Sequence, residues 1–166
     1  MTHLQNTLGS PNFRQVIRGY LQLHQLTVEG RDESAEADIV RDSLDLPWHA
    51  LTESEKQLVQ GLSADLFDIS EPTTSNTQVM NAQSQKNLVE AIEAKQRQEW
   101  ERALTLLRQN SQEITPAILS SYRGGIWLEA GYPEVGAVFY EHASKLEPDD
   151  AHYEVLFLSA LEQSDH

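Results

Sequence analysis

The side chains best suited to chemistry in this chain of 166 residues are six histidines, His3, His24, His49, His142, His152 and His166, set among 26 carboxylates. A zinc hydrolase needs two histidines one helical turn apart with a glutamate beside the first, the HExxH spacing, and no such pair occurs. Glu141 adjoins His142 and His152 lies close to Glu154, but neighbouring residues on a helix point to different faces. The spacing predicts surface histidines rather than metal ligands. Asp149 and Asp150 could in principle share acid and base work. Following Pro148 at a turn between helical stretches, they read more simply as caps, because a helix N-terminus favours negative charge. "RGGIW" at 123–127 has glycines but no Lys-Ser or Lys-Thr after them, so helix packing accounts for it better than a phosphate cradle. There is no GxSxG elbow and no cysteine, which removes thiol nucleophiles, disulfides and cysteine zinc sites together. The expectation is a protein that is not an enzyme, with no catalytic residue, metal or cofactor.

The elements that must position whatever function remains are helical. No stretch sustains apolar and polar alternation, and β-branched residues do not cluster, so the chain reads as all-α. Ser10-Pro11 predicts the first helix start, with Phe13, Val16, Ile17, Tyr20 and Leu21 on one face and Gly30 at the stop. A second helix is expected from Asp32 to Leu44, broken by Pro47, with Trp48 and Leu51 filling the gap behind it. Thr52 and Glu55 form a capping-box pattern that opens a third, running to about Asp68 and burying Leu58, Val59, Leu62, Leu66 and Phe67. Residues 71–83 are polar and lack an apolar face, which predicts a linker between an N-terminal helical segment, 1–70, and a second region, 84–166. Helices are expected near 84–97, 99–111, 116–130, 133–146 and 150–163.

Residues 84–116 laid over 117–149 with a 33-residue offset pair Ala91 with Gly124, Ala103 with Gly136, Leu107 with Tyr140 and Ser111 with Ser144. Two helices per repeat of this length, with Gly124, Trp127, Gly136, Tyr140, Ala143 and Pro148 at matching positions of the second copy, resemble the tetratricopeptide repeat (TPR). The resemblance implies a TPR-like α-solenoid of about two helical hairpins. Small residues let paired helices approach, an aromatic fills the space beside them, and 150–163 form a capping helix with Tyr153, Leu156, Phe157 and Leu161 inward. Trp127 then belongs to the core, as does Trp100, while Trp48 stays open between core and binding platform. Residues 20–70, through "LHQLTVEG", "DSLDLPW" and "GLSADLF", resemble the N-terminal stretch of bacterial repeat proteins of no known activity, which implies a helical lobe and nothing chemical.

In the TPR family the first helices of successive repeats line a groove that holds a peptide or helix. The resemblance puts Leu88, Ile92, Lys95, Gln96, Ile118, Ser121, Leu128 and Glu129 in that groove, with Gly125 among them. An apolar groove does not stay open to water, so either the amphipathic helix of another protein or the N-terminal lobe fills it. A chain with so few repeats also leaves room for dimerisation to supply core.

Charge bounds the partners. The formal net charge is -14, and residues 117–166 carry 9 acidic against 2 basic side chains. Such a field repels phosphate backbones and anionic lipid, so neither nucleic acid nor membrane is expected as a partner. No apolar run approaches the length of a membrane span, and the first residues lack the pattern of a secretory signal, so a cytoplasmic protein is expected. The leading expectation is a non-catalytic adaptor for another protein. The first alternative is an acidic decoy that occupies a basic, nucleic-acid-binding surface through Glu129, Glu134, Glu141, Glu147, Asp149 and Asp150, and the second an enzyme of unrecognised type. Salt separates adaptor from decoy, because decoy binding weakens steeply with ionic strength.

Overall fold

The computed structural model describes residues 8–70 and 81–164, which are helical and contain no strand, and which fall into two compact units divided between those ranges. In the first unit, helix α1 (Pro11–Val28) starts as expected, with the Ser10 hydroxyl accepting from Phe13 N at 3.2 Å and proline in the first turn. It closes with Gly30 at φ 74°, whose N–H reaches Thr27 O while Arg31 N reaches back to Leu26 O, so the carbonyls of the last turn are satisfied. The second predicted helix divides. Helix α2 (Ala35–Ser43) begins after Asp32 because Ser34 supplies the cap, accepting from Ala37 N at 3.2 Å. Helix α3 (Asp45–His49) holds Pro47 in its first turn, where the missing N–H has no partner to lose.

Helix α4 (Glu53–Ser70) opens on the predicted capping box: Glu55 N donates to Thr52 Oγ1 at 3.1 Å and Thr52 N to Glu55 Oε1 at 3.0 Å. The other carboxylate oxygen of Glu55 accepts from Ser10 N at 2.8 Å. One side chain therefore satisfies backbone amides at the starts of α1 and α4. Burial pushes this carboxyl up, but the amides of Thr52 and Ser10 outweigh it and hold its pKa below the ordinary 4.5. Helix α1 packs on α2, α3 and α4 around Phe13, Val16, Ile17, Leu44, Leu51 and Leu62, all buried. Gly19 is close-packed: a β-carbon there would lie 2.3 Å from the Leu44 side chain.

Phe67 corrects the sequence expectation, being 65% exposed. The buried face of α4 runs Glu55, Leu58, Val59, Leu62, Asp65, Leu66, which keeps helical period and rotates Phe67 outward while carrying Asp65 inward. Ile39 is also exposed, and Trp48 is half-buried.

The second unit contains α5 (Ala82–Gln96), α6 (Trp100–Gln109), α7 (Pro116–Glu129), α8 (Pro133–Leu146) and α9 (Ala151–Ser164), each packed on its neighbour in the chain. Of the predicted linker, residues 71–80 lie outside the described residues. Asn81 instead caps α5, accepting from Ser84 N at 2.8 Å, so the helix begins before residue 84.

Between α7 and α8 the chain turns through Gly131 at φ 103°, with Gly131 N to Leu128 O at 3.1 Å and Tyr132 N to Trp127 O at 2.9 Å. Between α5 and α6 the same pair of bonds joins Gln98 N to Lys95 O and Glu99 N to Ala94 O, both 2.9 Å, with Gln98 at φ 62°. Gln98 and Gly131 stand 33 residues apart, the offset read from the sequence. Residues paired by that offset share burial: Ala91 with Gly124, Ala103 with Gly136, and Leu107 with Tyr140 are all buried.

The glycines of the second hairpin face each other. A β-carbon at Gly136 would meet Gly124 O at 2.9 Å, and one at Gly124 would meet the Tyr140 ring at 3.0 Å. Trp127 and Tyr132 are fully buried and pack edge to face, with centroids 5.8 Å apart. The expected inward face of α9 needs one correction. Ala160 is buried, with Leu156 and Phe157 half-buried beside it, whereas Leu161 is exposed. The face follows 153, 156, 157, 160 and 164, and Leu161 falls outside it.

Candidate functional site

The close approach of α7 to α8 leaves α7 with few positions free. Eight of its residues are buried, among them Arg123, Gly124, Gly125 and Trp127, and it is the central helix of its unit. What it presents outward is Ile118, Ser121 and Tyr122, half-buried, and exposed Glu129. Helix α5 uses small Ala91 and Ala94 on its buried face, with Leu88, Ile92 and Lys95 half-buried and Gln96 exposed.

These two surfaces meet at Lys95 and Glu129, whose Nζ and Oε2 are 2.8 Å apart. Gly125 lies beneath them: a β-carbon there would be 3.3 Å from the Tyr140 hydroxyl and 3.7 Å from Lys95 Nζ. Burial, then the Glu129 charge, raises the Tyr140 phenol above its ordinary pKa of 10.0, so the hydroxyl keeps its proton at neutral pH. Lysine, glutamate and phenol thus make a polar step between half-buried apolar residues. Glu129 is half open to solvent, which screens the pair and keeps its contribution to stability small.

Two of the residues expected in the groove behave differently from the rest. The Ser121 hydroxyl donates to Ile118 O at 2.8 Å, so it is turned onto its own helix. Leu128 packs on Ala137, Tyr140 and Ala160, toward α8 and α9.

The acidic residues proposed for a decoy surface are dispersed. Glu129 is paired with Lys95, Glu141 lies 3.7 Å from Lys145, and Glu134 is half-buried. Glu147, Asp149 and Asp150 gather in the exposed α8–α9 connection, where Asp150 Oδ1 accepts from His152 N at 3.0 Å and begins α9 as anticipated. Burial, then Asp150 and Glu147, push the Tyr153 phenol up, a mark of the negative field there.

Of the histidines, His3 and His166 lie outside the described residues, and His49 sits 2.8 Å from Asp45 O in its own turn. Among the described residues no group of three or more His, Cys, Asp or Glu is arranged to hold a metal, and no helix is long and apolar enough to cross a membrane.

Two features escaped sequence reasoning. Tyr20 and Leu23 line two depressions in the first unit, one with His24, Leu66 and Phe67, the other with Arg41, Leu44 and Trp48. In the second, Val155, Leu158 and Leu161 of α9 are exposed together. A strict helical count places Phe67 and Leu161 off the buried faces, but the depressions themselves depend on how the helices pack. No family model, curated protein or solved structure matches the chain.

Proposed function

We propose that residues 81–164 are a pair of TPR-like hairpins followed by a covering helix, and that the protein is a non-catalytic cytoplasmic adaptor. Its ligand is a peptide or amphipathic helix of another protein, held across α5 and α7. The observation that supports this is the contact between Lys95 and Glu129, which joins a residue of α5 to one of α7, the first helices of the two hairpins, while Leu88, Ile92 and Ile118 on the same helices are half-buried. The recurrence of one backbone turn at the 33-residue offset and the abutting glycines of α7 and α8 support the repeat itself. In the helix-in-groove mode, apolar anchors at i, i+3 or i+4, and i+7 of the ligand supply affinity, and the polar step selects its register.

The test is a displayed library of random amphipathic peptides, selected on the full chain and re-measured on the double variant Ile92→Asp/Ile118→Asp. Peptides that lose at least tenfold in affinity for the variant, roughly 1.4 kcal/mol or more, support the groove. Selected peptides that bind both proteins equally defeat it.

A further inference from the structure

Helix α9 is amphipathic in an unusual sense. Its inner face, Leu156, Phe157 and Ala160, packs on α8, yet its outer face carries Val155, Leu158 and Leu161 at 62%, 54% and 39% exposure. A helix covering a repeat ordinarily turns a polar face outward. These three residues recur every three positions and form a ridge of the kind that seats in the groove of a second helix. From Val155 to Leu161 the ridge rises on the order of 9 Å, nearly two helical turns.

The charged side chains of α9 and of the connection before it have one sign. Glu154 and Glu162 flank it on the same helix, Glu147, Asp149 and Asp150 stand at its start, and α9 contains neither lysine nor arginine. A second copy docked here would set these carboxylates against one another, and like charges across an interface are costly. Anionic lipid and nucleic acid are repelled for the same reason. We infer that the outer face of α9 docks a basic amphipathic helix of another protein, its apolar residues against Val155, Leu158 and Leu161 and its lysines or arginines toward the surrounding carboxylates. This surface is separate from the α5–α7 face and does not depend on it.

The test uses the full chain and a fluorescent Leu/Lys peptide of about 18 residues, roughly five turns, designed as an amphipathic helix. A shuffled isomer of equal charge serves as the control, with binding read by anisotropy. The expected result is binding of the amphipathic peptide at least tenfold tighter than the isomer. Leu158→Asp should weaken it at least tenfold although it adds negative charge, a sign that purely electrostatic association cannot give. Glu154→Gln/Glu162→Gln should reduce the loss of affinity between about 50 and 300 mM salt, since these charges sit within a Debye length of the bound cations at the lower figure. Circular dichroism checks the fold of each variant, and Val155→Asp replaces Leu158→Asp if the latter is misfolded. Equal binding of the two peptides, or an unchanged or tightened Kd for the aspartate variant, overturns the inference. So does loss of binding in Ile92→Asp/Ile118→Asp alone, which assigns the peptide to the other face. A dimer in sedimentation that Leu158→Asp dissociates overturns it in favour of a second copy.

Discussion

The α5–α6 and α7–α8 hairpins of the second unit share a bonded turn and differ in what surrounds it. Both end their first helix in the same bonded turn, but the turn residue is Gly131 in α7–α8 and Gln98 in α5–α6. Both bury small residues at positions paired by the 33-residue offset, but in α7–α8 these are Gly124 and Gly136, which bring backbone against side chain and carbonyl, whereas in α5–α6 they are Ala91 and Ala103. The first hairpin adds polar ties: Asn87 Nδ2 donates to Asn110 Oδ1 at 2.6 Å, and the Ser84 hydroxyl bonds the Glu113 carboxylate. Close packing in one copy is matched by directed hydrogen bonds in the other. The second hairpin also lies between neighbours on both sides, which suits it to be the rigid part of the unit.

The largest expected effect tests the glycine contact. Gly136→Ala should destabilise by about 1–3 kcal/mol in urea unfolding, because the new methyl meets a carbonyl that cannot swing away. Were there space, the same change would stabilise by about 1 kcal/mol through helix propensity. The sign of the measured change therefore decides whether the two hairpins differ as described.

A smaller pair of effects tests the shared turn. Gly131→Ala should cost about 1–2 kcal/mol, the strain of a side chain in left-handed backbone, and Gln98→Gly should recover about 1 kcal/mol from the same strain. Thermal melts that shift in the same direction for both would show that the turns are not equivalent.

The smallest effect lies outside both hairpins and separates the units. The Glu55 pKa is depressed on folding, so its contribution is fully present above about 4.5 and is lost as pH falls through the lower folded value. Glu55→Gln should cost about 1 kcal/mol at neutral pH. The gap from the wild type should close on acidification, in a transition that belongs to residues 8–70. A gap that stays constant with pH would mean that packing, not charge, holds Glu55.

The same contrast explains what was legible in the sequence. The ends of α7 and α8 are written in Pro116, Pro133 and Gly131, residues whose backbone restrictions leave few alternatives, and Thr52 with Glu55 states its own geometry. Gln98 gives no such signal, since only the tertiary turn forces its positive φ. Phe67 and Leu161 were misplaced for a common reason: their hydrophobicity outweighed a helical count that put Asp65 and Ala160 inside. Gly19 could be recognised as a packing residue only once Leu44 was seen against it. For the candidate site, neither the Lys95–Glu129 contact nor the turn of Leu128 toward α8 and α9 could be read from the sequence, because both depend on how the helices cross.

The shared carboxylate of Glu55 has a consequence for how the N-terminal unit closes on itself. In residues 81–164 most packing joins helices adjacent in the chain. The bond from Ser10 N to Glu55 instead spans 45 residues. Bringing those ends together costs roughly 3 kcal/mol of chain entropy, lost before any contact between α1 and α4 rewards it. The N-terminal unit is therefore held at both helix starts by one acid side chain, so the entropy of that closure is offset by two capped helices rather than one.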